Sequence, residues 1–131
     1  MEKITADHLN RTAYVYIRQS SQAQVLRNVE SRRVQEHLVE RAQTLCWSQP
    51  RIIDDDLGRT ATGVVERAGF ERLLAAVCAG EVGAVVAFEA SRLARNGREW
   101  HTLLELCAVV DTVIIDTAAV YDPKIPNDRL L

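Results

Sequence analysis

Short apolar runs alternate along the chain with segments in which apolar residues recur at helical spacing. The runs predict strands at AYVYIR (13–18), RIID (51–54), AVVAF (84–88) and TVIID (112–116). The segments between them predict helices with the apolar faces Val34, Leu38, Ala42 and Leu45; Phe70, Leu73, Leu74, Val77 and Cys78; and Trp100, Leu103, Leu104, Cys107 and Ala108. Pro50 and Gly80 indicate where the first two helices end.

Regular alternation of strands and helices defines the fold class. It predicts right-handed crossovers and a mostly parallel sheet of four to five strands, covered on both faces as a three-layer α/β/α domain. In such sheets ligands bind beyond the carboxyl ends of the strands. The loops after the first and third strands, with Arg18, Ser20 and residues 89–95, should therefore face one crevice.

The composition is that of an ordinary globular domain. The chain has 131 residues, of which 47% are hydrophobic and 26% charged, which suits a single core. Since no apolar run approaches the roughly 18 residues of a membrane span and the N-terminus lacks a secretory signal, we expect a cytoplasmic protein with no membrane partner. Cys46, Cys78 and Cys107 lack metal-ligand spacing and are predicted to be small core residues.

Charge gives a mixed indication about nucleic acid. The net charge of −2 predicts that these residues alone bind DNA weakly, because few counterions would be released from phosphates. Fourteen of the sixteen basic residues are arginine, whose planar fork suits phosphate oxygens. Codon usage in a GC-rich genome would give the same bias, so the positions of the arginines have to decide between the two explanations.

The YIRQS stretch places a charge and a hydroxyl at the end of an apolar strand. By strand alternation Tyr14, Tyr16 and Arg18 share one side, and Ser20 continues that parity into the loop. A serine hydroxyl needs help to act as a nucleophile, and guanidinium groups give it when the target is a phosphate. Five residues alone fit equally well an unreactive loop serine beside a solvent-facing arginine.

Two later segments add arginines to the same edge of the predicted sheet. Arg92 and Arg95 in SRLARN are three residues apart, so on a helical turn they share a face and form an anion site. Arg67 lies one turn before the second apolar helix face, and Gly69 permits close approach. Each segment by itself could equally be a solvated basic turn or an ordinary first turn of a helix.

A run of three aspartates, 54–56, permits a different class of protein on the same architecture. A receiver-type signalling domain binds Mg²⁺ through acidic residues near the strand ends. Such a site also requires acidic residues after the first strand and a lysine after a late strand. This chain has Arg18 at the first place and Asp116-Thr117 at the second. The receiver is therefore the weaker alternative, and the aspartates are more simply a solvated turn or cap.

Taken together, these motifs resemble the catalytic domain of the serine recombinases, the resolvase/invertase family, from about residue 12 to the end. Tyr16, Arg18 and Ser20 match the family's first motif, and Gln24 and Gln35 match its glutamine-bearing loop and helix. Further matches are Arg67 and Gly69, and then Ser91-Arg92-Leu93-Ala94-Arg95 after the third strand. The long spacer QVLRNVESRRVQ (24–35) and the Ser-Arg-Leu-Ala-Arg motif are more similar to those of the large serine recombinases or transposon-type members.

What the resemblance implies is site-specific DNA recombination without a metal or other cofactor. Ser20 would attack the scissile phosphodiester of double-stranded DNA, form a 5′-phosphoserine and release a 3′-hydroxyl. Arg18, Arg67, Arg92 and Arg95 would hold the phosphate, with Tyr16, Gln24 and Ser91 as supporting or phosphate-contacting residues. The family acts as a homodimer that assembles into a tetramer on DNA. A catalytically inactive interaction module of the same family is a further alternative.

Three features leave the resemblance incomplete. Many members have aspartate where this chain has Ser91, so a carboxylate role there cannot be transferred, and Glu89 is only a speculative substitute. Ser21 adjoins Ser20, and only the motif register favours Ser20. The C-terminal segment YDPKIPNDRLL predicts a helix start near Pro126 or Asn127 just before the chain stops. We therefore expect a domain cut at the start of a long helix, with the DNA-binding domain elsewhere.

Overall fold

The computed structural model describes residues 3–17, 28–53, 68–88, 93 and 97–125, with the backbone alone for 28–32 and 68. The elements in chain order are α1 (Ala6–Asn10), β1 (Thr12–Tyr16), α2 (Asn28–Thr44), β2 (Arg51–Ile53), α3 (Ala68–Cys78), β3 (Val82–Val86), α4 (Gly97–Val110), β4 (Val113–Ile115) and β5 (Val120–Tyr121). All four predicted strands and all three predicted helices are present. Strand β3 begins and ends two residues earlier than the sequence predicts.

The strands form a five-stranded sheet in the order β2-β1-β3-β4-β5. Strands β1 to β4 are parallel, and only β5 pairs antiparallel with its neighbour. The predicted α/β class is therefore confirmed. Because the chain proceeds from β1 to one side and from β3 to the other, the topological switch point, where such sheets bind ligands, lies between these two strands.

Strand alternation divides the core into two layers. Tyr14, Tyr16 and Val85 face α3 and α4, while Ala13 and Val15 face α2. The layers lie on opposite sides of one sheet, which gives the three-layer arrangement. In the described segments every helix falls short of the length and apolarity that a bilayer-spanning segment requires.

The helices bury the predicted faces, but two of the three cysteine predictions are wrong. Cys107 is fully buried. Burial is the main cause, and the neighbouring Cys78 thiol the smaller one, that raises the pKa of the Cys107 thiol to about 12. Cys46 and Cys78 are exposed. Cys78 is the last residue of α3, at the margin of a face centred on Leu73 and Val77. Cys46 has a φ of 85° in the turn that ends α2, which carries its side chain away from the core.

Helix α1 was not predicted from the sequence. Thr5 caps it: its side chain accepts a hydrogen bond from the His8 amide, and its own amide donates to Nδ1 of His8. Since Nδ1 is the acceptor, Nε2 carries the proton and donates to Asp111 at 3.0 Å. His8 is thereby buried with both ring nitrogens hydrogen-bonded, and it holds α1 against the amino edge of the sheet.

An ion-pair network closes this amino edge. Arg11 donates to the carbonyls of Val82, Val110 and Asp111. Lys124 lies 2.7 Å from the Asp111 carboxylate. Burial by itself raises the pKa of Asp111, but hydrogen bonds from Lys124 and His8 outweigh it and hold that pKa below its usual value. The network ties the last described turn to α1 and to the end of α4.

Close packing of α1 on β3 depends on the absence of a side chain at Gly83. This residue sits at the irregularity in the β1–β3 register, and a Cβ there would lie 2.0 Å from the His8 carbonyl oxygen. We expect Gly83→Ala to lower the free energy of unfolding by about 1–3 kcal/mol, as overpacking does, because the obstructing atoms are backbone. Urea denaturation measures this change.

Gly97→Ala is the matched control for that substitution. A Cβ at Gly97 would meet nothing within 4 Å, and the residue lies outside the left-handed region of φ. This variant should be neutral or slightly stabilising, because alanine is the better helix former. Equal unfolding midpoints for both variants would contradict the proposed packing of α1.

Candidate active site

Backbone hydrogen bonds join the carboxyl ends of the parallel strands. The Ile17 amide donates to the Ile53 carbonyl at 2.9 Å, which holds the ends of β1 and β2 together. The Ala87 amide donates to the Ile115 carbonyl at 2.9 Å, which does the same for β3 and β4. The chain therefore enters the predicted nucleophile loop and the predicted arginine loop from one fixed edge.

Tyr16 and Phe70 connect the first of these loops to the start of α3. Both side chains are buried, and their rings meet edge to face with centroids 6.0 Å apart and planes inclined at 67°. Tyr16 precedes Arg18 by two residues, and Phe70 follows Arg67 by three. This contact holds the flanks of two predicted phosphate-binding segments side by side.

Leu93 anchors the third segment in the same cluster. It is 1% exposed and belongs to the buried group that also contains Tyr16 and Phe70. Arg92 is its neighbour, and Arg95 lies two residues away. Each predicted arginine is therefore one to three residues along the sequence from one of these three buried side chains.

Most of the predicted site residues lie outside the described part of the chain. These are Arg18, Ser20, Ser21, Gln24, Arg67, Glu89, Ser91, Arg92 and Arg95, together with the aspartates 54–56 and the predicted helix start at Pro126 or Asn127. Tyr16 and Gln35 are described, Tyr16 as a core residue and Gln35 as a half-buried position of α2. The catalytic roles stay predictions, and the described anchors are Tyr16 at the end of β1, Phe70 in the first turn of α3, and Leu93.

The turn after β4 completes this edge of the sheet. Asp116 is buried and its carboxylate accepts hydrogen bonds from the amides of Ala118 and Ala119 at 2.8 and 2.9 Å. Arg41 of α2 donates to the Asp116 carbonyl at 3.2 Å. The aspartate thus acts as a turn cap, in the place where a receiver domain would carry its lysine.

Sequence reasoning missed Phe88 and Thr117 at this edge. The AVVAF run predicts a buried Phe88, but the residue is 47% exposed, just beyond the end of β3. The Thr117 hydroxyl donates to the Phe88 carbonyl at 3.2 Å, and the Thr117 amide approaches the same oxygen at 3.5 Å. The nearest signal in the sequence is an aromatic residue directly before the predicted phosphate-binding loop.

Other described features lie away from the carboxyl edge. One cavity of about 500 Å³ runs between β2 and α3 beside Arg51 and Arg72, and another of about 590 Å³ lies between α1, the end of α2 and β5. In the ranges that the structure describes, no three His, Cys, Asp or Glu side chains come together as a metal site.

Comparison with known proteins identifies the family. The model for the resolvase N-terminal domain matches residues 13–131, so the chain belongs to this family, the catalytic domain of the serine recombinases. The sequence is also 47% identical over 131 residues to the uncharacterized protein y4bA/y4pH of Sinorhizobium fredii (strain NBRC 101917 / NGR234). That alignment covers 98% of this chain and 19% of the relative, so the chain spans about a fifth of the relative's length. The resemblance inferred from the motifs is confirmed, and the receiver alternative is not supported.

Proposed function

We propose that the chain is the catalytic domain of a site-specific DNA recombinase that cleaves and rejoins double-stranded DNA through a phosphoserine intermediate. The Ser20 Oγ attacks the scissile phosphorus, the bond from phosphorus to the 3′ oxygen breaks, and a bond from phosphorus to Oγ forms. The serine proton leaves to a base that is not assigned, and the departing 3′ oxygen takes up a proton. Each step exchanges one phosphodiester for another.

Rejoining is the same step in reverse. A 3′-hydroxyl from the exchanged strand attacks the phosphoserine phosphorus, and Ser20 is released as the leaving group. Because the energy of the broken bond is kept in the phosphoserine, religation needs no nucleotide hydrolysis. The reaction as proposed uses no metal ion and no cofactor.

The four arginines supply the electrostatic part of catalysis in this proposal. Arg18, Arg92 and Arg95 would contact the non-bridging oxygens, whose negative charge grows as phosphorus becomes pentacoordinate. Arg67 would approach from the start of α3 and complete the cradle. Guanidinium groups suit this role because their planar forks bind two oxygens at once and remain protonated at neutral pH.

The observation that carries the proposal is the common anchoring of the three arginine-bearing segments. Tyr16, Phe70 and Leu93 belong to one buried cluster, and each lies one to three residues from a predicted phosphate ligand. A solvated basic turn needs no such shared anchor. The cluster also adjoins the switch point between β1 and β3, where doubly wound sheets bind their ligands.

The wider assembly is part of the same proposal. We expect double-stranded DNA as the partner, and a homodimer that assembles into a tetramer on it. The length of the Sinorhizobium relative supports membership among the large recombinases, with DNA recognition by residues outside these 131. A reaction on cellular DNA favours a cytoplasmic protein.

Covalent attachment to DNA without a metal tests this function. The full-length protein is incubated with a supercoiled plasmid carrying the DNA that flanks its own gene, with and without EDTA, and stopped with SDS. We expect protein–DNA adducts that protease removes, in equal yield under both conditions. Attachment that requires Mg²⁺ would contradict the mechanism, and DNA binding without any adduct would favour the inactive interaction module.

A further inference from the structure

The cavity of about 500 Å³ between β2 and α3 is a groove at the edge of the sheet, since β2 is an outermost strand. Its lining includes Arg51, the first residue of β2, and Glu81, the residue before β3. These residues lie at the amino ends of their strands. The β2–α3 groove is therefore separate from the carboxyl edge where the candidate active site lies.

Two opposite charges in this lining have no ion-pair partner among the described residues. Arg51 is exposed, and its guanidinium carbon lies 5.8 Å from the centroid of the Tyr14 ring, its one recorded contact in the described ranges. Glu81 is also exposed, and its backbone is held by hydrogen bonds with Thr12 and Ala76. The groove thus presents one cation and one anion that the described fold leaves unneutralised.

The third charged residue of the lining differs from these two. Arg72 already interacts with another group of the chain. It therefore does not supply a free cation for the Glu81 carboxylate, and the charges that remain to be paired are those of Arg51 and Glu81.

A buried hydroxyl in the same lining also needs a partner. Tyr14 is 7% exposed and lines the groove beneath Arg51. In the described part of the chain no group forms a hydrogen bond with its phenolic oxygen. Because buried hydroxyls are normally hydrogen-bonded, an acceptor from outside the described fold is expected in the groove.

The wall opposite β2 is made of small side chains. Ala75, Ala76 and Ala79 line the groove from α3 and the turn that follows it. Ile52 adds apolar surface from β2 and is 37% exposed. Small residues let another backbone approach closely, and a desolvated apolar patch with polar groups around it is typical of a protein–protein contact.

We propose that the β2–α3 groove binds the same groove of a second copy of this chain, with Arg51 of each copy paired to the partner's Glu81. A two-fold interface uses one surface twice, so a surface with one unpaired cation and one unpaired anion is complementary to itself. The symmetry makes two such ion pairs. The inference rests on the proposed function only in that it assigns a surface to the expected assembly.

Self-association of the full-length protein tests this contact. Its mass is measured by sedimentation over a concentration series at low salt, alone and bound to a duplex from the DNA that flanks its gene. We expect Arg51→Glu and Glu81→Arg each to weaken self-association about 10- to 100-fold, because each places like charges face to face at two points. The double variant should restore wild-type association to within about threefold, because both ion pairs re-form with exchanged signs.

Arg33→Glu is the matched control. Arg33 is exposed on α2, which covers the opposite face of the sheet, so the same change of charge there should leave self-association unchanged. Unfolding midpoints of all the variants should equal that of the wild type. Single reversals without effect, or a double variant that is not restored, would overturn the inference. Weaker DNA binding with unchanged self-association would assign Arg51 to a phosphate contact and overturn it as well.

The two proposals can fail separately. If adducts form on Ser20 while the charge reversals leave self-association unchanged, only the groove contact is wrong. If the reversals act as expected but no adduct forms in the wild type, the groove joins two copies of a protein that does not cleave DNA.

Discussion

Replacing Ser20 with alanine is expected to abolish covalent attachment to DNA. The substitution removes the only oxygen that the proposed mechanism uses as a nucleophile. DNA binding should persist, because loss of one hydroxyl hydrogen bond costs only about 1 kcal/mol. Adducts are measured on SDS gels after incubation of the full-length variant with plasmid DNA.

Ser21→Ala is the control for this substitution. Ser21 adjoins Ser20 but lies outside the register of the Tyr-x-Arg-x-Ser motif, so its variant should still form adducts. Cleavage by Ser20→Ala, or loss of cleavage in Ser21→Ala alone, would contradict the assignment.

Arg92→Ala is expected to slow DNA cleavage by about 10²–10³-fold, the usual loss when one preorganised transition-state donor is removed. The expected DNA affinity changes far less, because the charge that Arg92 stabilises develops only in the transition state. Arg92→Lys should recover part of the rate, since it keeps the charge but loses the bidentate fork. Single-turnover cleavage of plasmid DNA separates the rate from the affinity.

Arg98 provides a matched control on the adjoining helix. It is an exposed arginine in the first turn of α4, six residues after Arg92. Arg98→Ala removes the same charge from the domain and should cleave DNA at a near wild-type rate. A near wild-type rate for Arg92→Ala would exclude Arg92 from the phosphate site.

Periodicity in the sequence predicted the layers of the fold well. Leu73 and Val77 were placed correctly on a buried helical face, and Tyr14 and Tyr16 on a common side of the sheet. These positions are determined by the 3.6- and 2-residue periods that burial requires, which a sequence displays directly. The parallel sheet followed from the alternation of the elements.

Features that depend on tertiary contacts were not predictable in the same way. Helix α1 is five residues long and is stabilised by contacts to Asp111 and Trp47, which lie far away in the sequence. Phe88 continues an apolar run, yet it lies past the last strand pairing and is exposed. The local hydrophobic pattern does not show that His8 pairs with Asp111, and it does not show that β3 ends at Val86.

The candidate site was predicted by motif order rather than by any single residue. In the sequence Arg18 follows β1, Arg67 precedes α3 and Arg92 follows β3, and the family match covers all three positions. The structure adds the contact between Tyr16 and Phe70, which no periodicity indicates. The base that would accept the Ser20 proton is not assigned, because many members of the family have an aspartate where this chain has Ser91, and no role of that carboxylate can be transferred.

The most direct test is to identify the residue that holds DNA in the covalent intermediate. Adducts of the full-length protein, stopped with SDS during cleavage, are digested with nuclease and protease, and the modified peptide is fragmented by mass spectrometry. The account predicts a nucleotide joined through its 5′-phosphate to Ser20. A nucleotide on Ser21, on another residue, or joined through a 3′-phosphate would contradict it.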